Sequence, residues 1–171
     1  MCRMIIQNSA GNVLLVMGRS IILATALAAS ACGGDPADGP IPAFNACDEE
    51  TRADTYTAGL TRDGSEGLMR VVLTDAAPSP PDQGFNRWEI HVEDMNGQPV
   101  PGVQIDAKPW MPDHGHGSVP LMHRARQLDT TNEQRTLGPM NFFMPGLWTV
   151  TMKLTSSLGA DEAVFAFCLE G

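Results

Sequence analysis

Apolar and polar residues alternate along most of the second half of this chain. Trp88, Ile90 and Val92 are interleaved with Glu89, His91 and Glu93. Val103, Ile105 and Ala107 are interleaved with Gln104, Asp106 and Lys108, and Trp148, Val150, Met152 and Leu154 with Thr149, Thr151 and Lys153. Phe165, Phe167 and Leu169 repeat the pattern near the end. A period of two puts one set of side chains in a core and the other in water, as in a half-buried β-strand. On that pattern His91 is a solvated strand residue. Leu68–Thr74 is a shorter apolar run, Met140–Met144 another, and Val119–Asp129 a mixed stretch that fits a further strand. Asp48–Asp63 reads as a loop or an irregular first strand.

Turn residues fall between these runs. Pro78, Pro80 and Pro81 mark Ala76–Gly84 as a loop, and Asn96-Gly97 is a tight-turn signal. Thr130–Gln134 and Ser156–Asp161 are polar turns, and Pro145-Gly146 fits a type II turn, with glycine accepting positive φ. No amphipathic helix is visible. Six or seven short strands at regular spacing predict an all-β, immunoglobulin-like antiparallel β-sandwich.

The first thirty residues follow different rules. Arg19 precedes the apolar run Ile21–Ala29, which ends in Ser30-Ala31-Cys32. A charged residue, a short apolar run and small residues before a cut describe a signal peptide over 1–31, and the run is too short to span a bilayer. Met1–Val16 has no coherent pattern, so Met17 is a candidate for the true start. The small residues before Cys32 resemble a bacterial lipoprotein signal. That resemblance implies cleavage before Cys32 and a diacylglyceryl group on its sulfur. Residues 32–47, rich in Gly, Pro, Asp and Ala, then form a lipidated, flexible tether, and 48–171 is the folded domain. The expected location is the cell envelope, lipid-anchored on its periplasmic or outer-membrane side. The membrane, reached through that lipid, is one partner and another envelope protein a candidate second.

The chain has 171 residues, enough for one domain, and a formal net charge of −9. Such an acidic chain is repelled by phosphate backbones, which argues against nucleic acid as a partner. Four cysteines are present. Cys2 lies before the mature chain and Cys32 would carry lipid. Cys47 and Cys168 remain, and in an oxidising compartment a disulfide between them is the favoured reading, with free thiols and metal or redox use as alternatives.

Chemistry-bearing residues concentrate in Trp110–Ser118. His114 and His116 are one residue apart, so locally extended backbone sends both imidazoles to one side. Imidazole suits copper, zinc and nickel, and thioether sulfur selects Cu(I). Met111 is close by, and Met122, His123, Met140 and Met144 are candidates to join after folding. Asp113 could hold a histidine tautomer. The competing reading is a tight loop built on Gly115 and Gly117, its histidines bonding backbone carbonyls and its methionines filling the core. Trp110 is expected in the core or at its rim, and His123, beside Arg124 and Arg126, on a solvated strand. There is no nucleophile elbow, phosphate-binding glycine loop or His-Glu-x-x-His pair, so no catalytic residue is assigned and the protein is not expected to be an enzyme.

Three motifs carry a family likeness. Asn96-Gly97-Gln98-Pro99-Val100-Pro101-Gly102-Val103, Met111-Pro112-Asp113-His114-Gly115-His116-Gly117 and Met144-Pro145-Gly146-Leu147-Trp148-Thr149-Val150 together resemble a YtkA-like domain, related to the FixH group. The likeness covers about Leu68–Leu169. It implies an extracytoplasmic immunoglobulin-like sandwich, often in lipoproteins. The FixH side is associated with maturation of copper-containing respiratory oxidases, which suggests copper by analogy only. FixH-type proteins span the membrane, whereas this chain reads as lipid-tethered. The expected function is a non-catalytic envelope binding or accessory module, with copper at His114, His116 and Met111. The alternative is a structural or protein-interaction lipoprotein whose His-Gly-His-Gly loop serves only the fold.

Overall fold

The computed structural model describes residues 45, 47–128 and 133–171. The signal peptide expected over 1–31, the candidate start Met17, Cys2, and Cys32 with its expected lipid lie outside the described residues. The chain separates into two units, Met1–Ile41 and Pro42–Gly171, and the described residues all belong to the second.

Ten strands succeed one another: β1 Leu60–Asp63, β2 Met69–Ala77, β3 Gly84–Asp94, β4 Gln104–Met111, β5 His116–Gly117, β6 His123–Arg124, β7 Arg126–Gln127, β8 Arg135–Phe142, β9 Gly146–Ser156 and β10 Gly159–Leu169. No helix occurs among the described residues. One antiparallel sheet runs β1-β2-β3-β8-β7 and the other β10-β9-β4-β5, with β6 also paired to β4. Their inner faces supply the core, because each alternating run turns its apolar set inward. Trp88, Ile90 and Val92 from β3 meet Trp148, Val150, Met152 and Leu154 from β9 and Phe165 and Phe167 from β10. Trp88 takes Phe142, Phe165 and Phe167 edge-on at 5.4–6.2 Å, an arrangement that matches positive ring edges to negative faces.

The Asn96-Gly97 turn forms, with Gly97 at φ +79° and the Asp94 carboxylate accepting from the Asn96 and Gln98 amides. It does not produce a hairpin between β3 and β4. The returning chain makes a single bridge, Glu93 to Pro99, flanked by two bonds, from Asp94 N–H to the Gln98 carbonyl and from Val100 N–H to the Val92 carbonyl. Pro99 and Pro101 have no N–H to extend a ladder. The chain therefore crosses to the other sheet, where β4 pairs with β9.

The segment before β1 lies on β10. Cys47 and Cys168 form a disulfide across 121 residues. Farther on, Asp54 N–H donates to the Ala166 carbonyl at 2.6 Å, and Ala166 N–H donates to the Asp54 carboxylate at 2.9 Å.

Candidate functional site

Strand β4 keeps its alternation to its last residue, with Ile105, Ala107, Pro109 and Met111 buried. The chain then reverses through Pro112–Gly115. The Met111 carbonyl accepts from the Gly115 N–H at 2.9 Å, and Gly115 takes φ +69°, where glycine alone is unstrained. The return strand β5 pairs Trp110 with Gly117 and Met111 with His116. Residues directly opposite in an antiparallel pair share a face, so the His116 ring turns inward beside the Met111 thioether.

His116 is half-buried. Its ring stacks on Phe143 at 5.2 Å and 19° and meets Trp148 edge-on at 6.2 Å. His114 stands perpendicular to it, the two rings 5.6 Å apart. Nδ1 of His116 is buried with no hydrogen-bond partner, a cost that a native imidazole normally avoids. Met111 is 1% exposed, and a Cβ on Gly146 would come within 3.3 Å of its methyl group. The fold thus brings Met111, His114 and His116 into one corner. Gly117 closes it: an added Cβ would lie 2.5 Å from the Pro109 carbonyl oxygen and 2.6 Å from a Leu121 methyl.

The other candidates are distributed differently. Asp113 holds no histidine. Both of its oxygens accept from Arg52, at 2.9 and 2.6 Å, and this fork keeps its carboxyl below the usual range. His123 is buried rather than solvated, because β6 pairs it with the inward-facing Ala107. That register lies four residues down β4 from Met111, roughly 13 Å at the rise of a strand. Burial pushes the His123 imidazole below its ordinary value, and a hydrogen bond to the Pro120 carbonyl partly offsets this. Met140 is sealed in the core from β8. Met144 packs against the core's edge, next to the Phe143 that stacks on His116, and Met122 is half-exposed. Trp110 lies on the outer face, with the Lys108 ammonium 4.1 Å above its ring. His91 is half-buried and bonds Glu93 at 2.8 Å.

One pair escaped the sequence reading. Ser118 Oγ lies 3.1 Å from His123 Nε2, with both residues buried. The hydroxyl also donates to the Pro120 carbonyl at 2.9 Å. The pair staples the segment after β5. Five residues separate its members, and no motif spacing marks it. Among the described residues, no three His, Cys, Asp or Glu side chains are grouped to hold a metal ion. A metal in this corner would need methionine sulfur beside the two imidazoles.

Two antiparallel sheets packed face to face, with short turns and a long crossing between layers, define an all-β sandwich. Residues 69–153 match the model of the YtkA-like family, so this span is a YtkA-like domain. The matched span includes Met111, His114 and His116 but neither cysteine of the disulfide. Neither the curated proteins nor the solved structures compared with the chain gave a match.

Proposed function

We propose that this protein is a non-catalytic accessory module of the cell envelope, held to a membrane by lipid on Cys32, that binds Cu(I) through Met111, His114 and His116. The YtkA-like match points to an accessory envelope domain, and the family is not a known enzyme family. One observation carries the metal reading: Met111 lies directly opposite His116, whose buried Nδ1 has no partner, with the His114 ring edge-on beside it. One thioether and two imidazoles form a soft donor set that favours Cu(I) over harder ions. The FixH likeness adds copper by analogy and says nothing about the recipient.

The test is a titration of the full chain, purified in detergent, with Cu(I) against a chromophoric chelator. One equivalent should be retained by the wild type and lost in His114→Ala/His116→Ala, with the β circular dichroism intact. The second reading, a loop that serves only the fold, draws on the wedged Gly117 and the His116–Phe143 stack. It wins if the wild type retains no copper and the double variant unfolds.

A further inference from the structure

Arg52 lies outside the matched family span, yet it reaches the centre of the His-Gly-His loop. The disulfide at Cys47 and the Asp54–Ala166 bonds hold the segment around it on β10. From there the guanidinium forks onto Asp113, Nη1 to one carboxylate oxygen and Nη2 to the other. The same group donates to both oxygens of Glu50, at 2.9 Å from Nε and 2.6 Å from Nη2. Four carboxylate oxygens are thus engaged by one side chain. Asp113 is covalently next to His114, and the Glu50 side chain is only 9% exposed.

We infer that Arg52 is a selectivity residue: it withholds the Asp113 carboxylate from the paired imidazoles, leaving a soft sulfur-and-nitrogen corner that rejects Zn(II). This rests on the copper reading for its biological sense, but its geometry is independent of it. With Arg52 removed, a carboxylate joins two imidazoles, a donor set that suits zinc. The same change leaves Glu50 and Asp113 without their counter-charge. Coulomb attraction scales with ion charge, so a divalent ion gains more from this than a monovalent one.

The experiment titrates Zn(II) by calorimetry into the full chain as wild type, Arg52→Gln, Asp113→Asn and the double variant, with circular dichroism as the check on folding. Arg52→Gln should raise Zn(II) affinity by about threefold to fivefold, the scale set by the half-exposed ion pair that is removed. The double variant should lose that gain. Asp113→Asn alone should lower Zn(II) affinity by at most about twofold, the small effect of one screened surface charge, because Arg52 already occupies that carboxylate; this arm stands even if Arg52→Gln fails to fold. A folded Arg52→Gln with unchanged affinity, a gain that survives in the double variant, or a larger loss of Zn(II) binding in Asp113→Asn would each overturn the inference. Failure of the wild type to retain Cu(I) would overturn the proposed function alone, since the zinc comparison is read on Arg52 and Asp113.

Discussion

Met111 and His116 are register partners across the β4–β5 pair, the thioether sealed in the core and the imidazole at its rim. A ligand role and a packing role for Met111 are therefore separable by chemistry. Leucine nearly conserves the volume and removes the sulfur. Met111→Leu should cost less than about 1.5 kcal/mol of stability. If the corner binds Cu(I), the same variant should weaken that binding by about tenfold or more. Urea unfolding and chelator competition on one preparation measure both. Unchanged copper affinity would remove Met111 from the site.

Gly115 and Gly117 are two residues apart and should respond to alanine in opposite ways. At Gly115 an added Cβ meets nothing within 4 Å, and the only obstacle is φ +69°. Gly115→Ala should cost about 1–2 kcal/mol, the penalty for placing an L side chain in the left-handed region. At Gly117 the Cβ would strike the Pro109 carbonyl oxygen at 2.5 Å, and backbone cannot rotate away as a side chain can. Gly117→Ala should be the more destabilising of the two and should loosen the β4–β5 pair. Equilibrium unfolding with amide exchange at Ser118, whose N–H donates to the Pro109 carbonyl, checks both; equal costs would contradict the tight seat of Gly117 against Pro109.

Much of this architecture can be read from alternation alone. Trp88–Val92, Val103–Ala107, Trp148–Leu154 and Phe165–Leu169 point inward as a period of two requires. What local pattern could not supply was pairing. Asn96-Gly97 makes its turn, but the prolines after it end the ladder and send the chain to the other sheet. His123 looked solvated beside two arginines, and its burial follows from facing Ala107, sixteen residues earlier. Val119–Asp129, read as a candidate strand, yields two two-residue pieces, β6 and β7, which pair with different sheets. The three candidate ligands were legible because they share one short hairpin. The hold on Asp113 was not, since Arg52 lies 61 residues away.

Asp161 makes stability depend on acid pH. It is 6% exposed, and its carboxylate accepts from the backbone N–H groups of Glu66, Leu68, Met69 and Glu162 at 2.9–3.0 Å. Burial pushes its carboxyl up, and the four donors outweigh burial, so it rests below its ordinary value. A carboxyl lowered in the folded state contributes stability above its unfolded pKa of about 3.9, and that contribution fades as pH falls through the folded value. Asp161→Asn should therefore be less stable than wild type by about 2–3 kcal/mol at neutral pH, with the gap narrowing below about pH 4. Unfolding series at several pH values give the difference curve, and a gap that does not change with pH would refute the assignment.

The disulfide should matter for one segment as well as for the whole domain. Cys47–Cys168 closes a loop of 121 residues, and removing a native disulfide typically costs about 2–5 kcal/mol. Cys47→Ala/Cys168→Ala should show that loss in chemical unfolding. The remaining holds on the segment include the Asp54–Ala166 bonds, the ion pair between Asp54 and Arg62, and the Arg52 fork on Asp113. Arg52 is half-exposed, and ion pairs in water contribute only about 0–1 kcal/mol, so they cannot replace a covalent bond. Amide exchange should therefore rise first at Cys47–Asp54 and next at the Pro112–Gly115 loop, while the paired strands β9 and β10 stay protected. Protection lost uniformly across the domain would instead make the bridge a purely global constraint.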